Sequence, residues 1–196
     1  MRNNKSTEQK NGLYLFLTDE EWPKQTITHN RTIARAIAVD DQENYYFVRT
    51  ERDDIFGKAV LIETSGGGVE EHEDLSEALK RELREELGAN AEVICFLGTV
   101  EDDYNVLGRH NITHYFLCRI TRLGRRHLTK DERESFHLST LKLSYEQALE
   151  EYERCRCTPV GRLIANREVP ILHYAKTLLD QRKENTAPDF HGTDES

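Results

Sequence analysis

From residue 33 to 39 every position but one is apolar: Ile33, Ile37 and Val39 alternate with Ala34, Ala36 and Ala38, and only Arg35 breaks the run. A strand that is apolar on both faces is predicted to lie in the middle of a sheet, covered on each side. Asp40-Asp41-Gln42-Glu43-Asn44 reads as a turn into a second strand at 45–49. A third strand is expected at 58–63, running into a glycine-rich loop, with further strands at 93–100 and 112–120 and a shorter one near 138–143. Ser144 is placed to cap a helix through about Glu153, and Pro170 to open a closing helix at 170–181. Leu13–Leu17 and Trp22 suggest an added strand or a subunit contact, so a homodimer is allowed for. Residues 1–11 and 183–196 read as disordered polar ends, the second acidic, and leave a single domain at 12–182. Strands followed by late helices fit an α+β class, an α/β/α sandwich over a mixed sheet.

One segment has helical period and a phase that its charges do not explain. Asp74 or Ser76 can cap a helix that Gly88 ends. With an advance of roughly 100° per residue, Leu75, Leu79, Leu83 and Leu87 fall within about 120° of one another. Glu77, Lys80, Arg81 and Arg84 fall on the solvent side, but Glu82 and Glu86 land inside the apolar arc and Glu85 at its edge. An unpaired buried carboxylate costs several kcal/mol, roughly, unless it neutralises, pairs or binds a cation. Three glutamates at i, i+3 and i+4 turned toward the protein body therefore call for a positive partner. Their hard oxygens suit Mg2+ or Mn2+ better than zinc. A solvated helix pairing its glutamates with Lys80, Arg81 and Arg84 is the bland alternative; the inward phase and the preceding Ser65-Gly66-Gly67-Gly68 turn weigh against it. Glycines there let the backbone approach a ligand and expose carbonyls as further donors.

Composition narrows the partners. The 196 residues carry a formal charge of −9 and are 32% charged, with a pI near 5.4. That balance argues against bulk binding to DNA or to a membrane surface. No apolar stretch is long enough for a bilayer span, and residues 1–10 lack a secretory apolar region, so a cytoplasmic location is expected. Cys95, Cys118, Cys155 and Cys157 show no zinc spacing and read as thiols of a reducing compartment. No Ser/His/Asp or Cys/His constellation suggests a covalent intermediate.

Residues 67–88 satisfy G-x5-E-x7-R-E-U-x-E-E-x-G, with U a large apolar residue, at Gly67, Glu73, Arg81, Glu82, Leu83, Glu85, Glu86 and Gly88; Ala89 stands where an aliphatic residue is usual. This resembles the Nudix box, the signature of hydrolases that cleave nucleoside diphosphates linked to another group. The resemblance implies the Nudix fold over about residues 32–179 and a Mg2+- or Mn2+-dependent pyrophosphohydrolase acting on a nucleotide-type small molecule. It implies that the Gly67 carbonyl, Glu85 and Glu86 hold the cation, that Glu82 is either a further ligand or the base that activates water, and that Arg81 pairs with Glu73 and orients the glutamates. His72 stands where many members have glycine, and either strains that turn or lends a basic group to substrate. A second acid is often recruited from a late loop, which makes Glu132 and Glu134 candidates against a solvated-loop reading. Tyr104 lies about where dinucleoside-polyphosphate hydrolases of the family carry a tyrosine, although a lone aromatic also serves packing.

A diphosphate needs neutralising partners, and arginine's planar fork suits it. Arg35, alone on an apolar strand, is either a substrate contact or half of a structural ion pair. Arg49 and Arg52 follow the second strand, and Arg109, with His110 and His114, precedes or enters a later one; these are the remaining candidates for substrate binding. An inactive Nudix-like module that binds a nucleotide or ADP-ribose and regulates something else is the alternative, although such modules usually lose box glutamates that this chain keeps. An isomerase of isoprenoid diphosphates on the same fold would add a cysteine before the box, which is not seen.

Overall fold

The computed structural model describes residues 12–126 and 138–186. The expected disordered start, most of the acidic tail, and Glu132 and Glu134 lie outside them. Seven strands form one mixed sheet: β1 (Leu13–Leu17), β2 (His29–Val39), β3 (Tyr45–Asp54), β4 (Gly57–Gly68), β5 (Ala89–Tyr104), β6 (Arg109–Leu123) and β7 (Ser139–Leu143), in the order β1-β5-β6-β2-β4-β3-β7. Helix α1 (Leu75–Glu86) packs on one face, and α2 (Tyr145–Cys155) and α3 (Pro159–Thr186) on the other. The architecture is the expected α/β/α sandwich. Among the described residues no helix is long and apolar enough to cross a membrane.

The doubly apolar run lies at the centre of the sheet. β2 is fourth of the seven strands, parallel to β6 and antiparallel to β4. Its two faces feed two cores: Ala34, Ala36 and Ala38 meet Leu79 and Leu83 of α1 and Leu87 at its end, while Ile37 and Val39 join the larger core under α2 and α3. Small side chains on one face let α1 approach the strand closely, which is what seats that helix over the glycine turn.

The pattern understated the length of most elements, β5 by half, and two of them show why. β3 runs five residues beyond 49 because its ladder with β4 continues to Asp54↔Gly57, through side chains such as Arg49, Glu51 and Arg52 whose polarity hides a strand. Pro170 does not open the closing helix; it sits inside α3, which begins at Pro159. Proline at a first helical position sacrifices an amide that has no partner there anyway, and the Thr158 hydroxyl accepts the Gly161 amide. The early turns escape the pattern because Arg167 and Glu168, charged residues, occupy the buried stripe between Ile164 and Ile171.

Candidate active site

The site is built on the end of β4 and the last two turns of α1. Asp74 caps α1, accepting the amides of Ser76 and Glu77 at 2.8 Å each, while the Glu77 carboxylate accepts the Asp74 amide. The reciprocal box fixes where the helix begins, and hence its phase. Gly88, at φ +65°, follows the last turn in the left-handed conformation expected of it. His72 takes φ +72°, a region that favours glycine, and its side chain is 90% exposed, with Glu71 beside it at 3.8 Å. Of the two readings of His72, the geometry displays the strained turn.

The phase places Glu82 and Glu86 against the protein, each 8% exposed, with Glu85 half-buried. Glu86 Oε2 accepts from the Ser65 hydroxyl and the Gly66 amide, both at 2.8 Å. Burial, and then the charge of Glu82, pushes the Glu86 carboxyl up to about 8. Burial also raises Glu82, against the opposing pull of Arg81. Gly67 faces Glu82 so closely that a Cβ there would stand 2.2 Å from Oε1. The turn is glycine because the carboxylate occupies the space of a side chain.

Arg81 folds back over the box. Its Nε and Nη2 donate to the two oxygens of Glu73 at 2.9 and 3.0 Å, Nη2 also to the Gly68 carbonyl at 3.0 Å, and Nη1 to Glu82 at 2.8 Å and Glu85 at 3.1 Å. One guanidinium thereby ties the turn to two of the three carboxylates. Among the described residues no three acidic, histidine or cysteine side chains converge as a closed metal cage. The acidic side chains of one helix instead stand against the glycine turn, Glu82 beside Gly67 and Glu86 on Ser65 and Gly66.

Beside the glycines lies a cavity of about 270 Å³ lined by Arg31, Arg35, Arg52, Arg109 and Arg167, with Glu63 and Tyr104. Two of these arginines are neutralised from behind. Arg35 meets Glu63 at 3.0 Å and Glu168 at 3.6 Å, and Arg167 meets Glu168 at 2.9 Å, Glu63 at 3.3 Å, Asp102 at 3.5 Å and the Tyr104 hydroxyl at 2.9 Å. Arg52 pairs with Asp54 and lies over the Phe56 ring. Arg31 and Arg109 have no carboxylate within ion-pair distance among the described residues. Arg31 stands at the mouth with its fork against Gly68, where a Cβ would lie 2.7 Å from Nε. Arg109 lies over the Tyr104 ring at 5.6 Å. Partial burial lowers the pKa of both; Arg35 adds to the effect on Arg31, and Arg31 to that on Arg109.

Of the residues singled out from sequence, Gly67, Arg81, Glu82, Glu85, Glu86, Arg35, Arg52, Arg109 and Tyr104 come together here. Arg49 pairs with Glu51 on the rim of a separate cavity of about 710 Å³ between the β3–β4 arm and the end of α2, which Arg52 also borders. His110 bridges Asp103 at 2.8 Å and Glu101 at 3.1 Å, and His114 meets the Thr99 hydroxyl; neither lines the cavity. Sequence reasoning missed Arg31, Glu63, Asp102, Arg167 and Glu168. Arg31, four residues before Arg35, left a faint signal; Glu63 ends a segment read as strand, Asp102 lies within the acidic run Glu101-Asp102-Asp103, and Arg167-Glu168 precede the expected closing helix.

Residues 29–154 match the NUDIX domain family. No curated protein matches the chain. Among solved structures it is similar to a NUDIX hydrolase from Nitrosomonas europaea, at 18% identity and a TM-score of 0.52 over 62% of this chain and 76% of that one. It is similar to the E. coli ORF135 protein, at 22% identity and 0.52 over 82% and 96%. An ADP compounds hydrolase gives 18% and 0.55 over 78% and 74%. At such identities the likeness is one of fold.

Proposed function

We propose, from the premise that this chain belongs to the NUDIX domain family, that it is a pyrophosphohydrolase that cleaves a phosphoanhydride in a nucleoside diphosphate linked to another group. The observation that carries this reading is the pair of buried carboxylates, Glu82 and Glu86, held against a glycine turn beside a cavity lined by arginines. The donor chemistry fits a hard divalent cation: oxygens only, with burial making Glu82 and Glu86 costly to ionise unless a positive charge joins them. The Gly67 carbonyl with Glu82, Glu85 and Glu86 would hold Mg2+ or Mn2+, which when bound supplies charge neutralisation of the diphosphate and a more acidic water.

The chain's own residues do the rest. Arg31 and Arg109, which among the described residues have no carboxylate at ion-pair distance, line the cavity as counter-charges for the phosphoryl oxygens, whose stabilisation is the main demand of phosphoryl transfer. Arg81 keeps Glu82 and Glu85 oriented from the far side of the turn. Glu82 is the first candidate to take the proton of an attacking water, and burial, which raises its proton affinity, supports that role. Glu132 and Glu134, outside the described residues, are the other candidates for that base.

The test is release of phosphate or nucleoside monophosphate from ADP-ribose, dinucleoside polyphosphates, nucleoside triphosphates, nucleotide sugars and capped or triphosphorylated RNA, with Mg2+ or Mn2+. Metal-dependent cleavage of one class, abolished in Glu86→Gln with the fold intact, is expected. Thermal stabilisation by one of these ligands without any turnover would point to a binding module instead.

A further inference from the structure

The glycine turn hangs from a strand whose backbone, one residue earlier, is held by side chains. β4 pairs with β3 up to Thr64 and with β2 from Ser65 onward. At this changeover the Thr64 amide donates to Glu168 Oε2 at 2.7 Å, and the Thr64 carbonyl accepts from Arg35 Nη1. The Ser65 hydroxyl and the Gly66 amide then hold Glu86, and Gly67 follows. Thr64 is thus held by side chains at the changeover, directly before the residues that pair with β2 and face the groups assigned to the cation.

Glu168 is fully buried on α3, beyond the residues that match the family. Besides Thr64 it accepts from the Tyr152 hydroxyl at 2.6 Å and from Arg167 Nη2 at 2.9 Å, and it lies 3.6 Å from Arg35. Gathering such charges in a core is a poor way to gain stability, since well-packed apolar residues of similar volume are often as good or better. An apolar side chain could fill the space, but it could not accept the Thr64 amide. We infer that Glu168 is a positioning residue, which through Thr64 sets where the Gly67 carbonyl stands relative to Glu82 and Glu86. The inference rests on the reading of that turn as the cation and diphosphate site.

Full-length protein and its Glu168→Asp variant should be compared by Mn2+ titration, by amide hydrogen exchange at Thr64 and Gly66 without metal, and by kcat and KM for the nucleotide turned over. Aspartate keeps the charge but withdraws the carboxylate by one methylene. Exchange at both amides should quicken, and Mn2+ affinity and kcat should each fall about 10- to 100-fold, the usual cost of losing a group that orients a metal's ligands, with KM little changed. Leu172→Ala, in the core on the same helix and away from the turn, should lower Tm while leaving Mn2+ affinity unchanged. If Glu168→Asp does not fold, Arg35→Lys loosens the same anchor from its carbonyl side and should weaken Mn2+ binding likewise. A folded variant with parental exchange at Thr64 and Gly66 and parental Mn2+ affinity overturns the inference. A parent that binds no Mn2+ would sink the cation reading, and exchange at the two amides would then decide the inference alone.

Discussion

Glu86 shows how one residue can carry a site's chemistry. In water its carboxyl would ionise near ~4.3; against Ser65 and Gly66, with Glu82 nearby, it is pushed up to about 8. Between those values the metal-free folded protein holds a proton that the unfolded chain has shed. Its contribution to stability is therefore complete below the lower value and lost as pH rises through the upper one. Without metal, the parent should lose Tm relative to Glu86→Gln as pH is raised from about 5 to about 8, and Mn2+ should restore the parent only. Parallel melting curves for the two proteins across that range would rule out the buried-carboxylate account. Gly67 makes the complementary case, because a methyl there would meet Glu82 Oε1 at 2.2 Å. Gly67→Ala should fold, yet lose about 10²-fold in kcat, the scale of a displacement of roughly 1 Å at a reacting centre; steady-state kinetics on the substrate found above would decide it.

At the scale of the element, α1 was almost wholly legible. Its cap, its terminator and the inward phase of Glu82 and Glu86 follow from local spacing, and the observed burial agrees. Its entry turn carries a cost that the sequence left undecided: His72 at φ +72°. A non-glycine residue in that region costs on the order of 1–3 kcal/mol, and the exposed side chain offers little in return. His72→Gly should raise stability by about 1 kcal/mol without changing kcat, as urea melts and kinetics would show. A loss of activity in that variant would favour a role for the imidazole toward substrate. Elements read less well where burial and polarity part company. The outer half of β3 is strand by its ladder and polar by its side chains, and the first turns of α3 hide Arg167 and Glu168 in a core stripe. Hydropathy cannot register a charge buried because another charge neutralises it.

The whole molecule decides what surrounds the box. β2 and β6 pair in parallel, with His29 beside Arg109 and Arg31 beside Asn111, so arginines 78 positions apart in sequence share one cavity. If they bind the diphosphate, Arg31→Ala and Arg109→Ala should each lower kcat/KM by roughly 10- to 100-fold, the worth of a charged hydrogen bond, with Tm little altered. Arg49→Ala, on the other cavity, should leave kcat/KM at the parental level, and equal losses in all three variants would show that the cavity does not discriminate. The sequence by itself determined the family, the α/β/α class, the central strand and the inward carboxylate face of α1, because each is written in spacing over a few turns or strands. Tertiary structure alone decided which arginines keep a carboxylate partner and which do not, and that α3 reaches back through Glu168 to Thr64. Those choices depend on long-range register and on charges cancelling in the interior, and neither leaves a periodic trace along the chain.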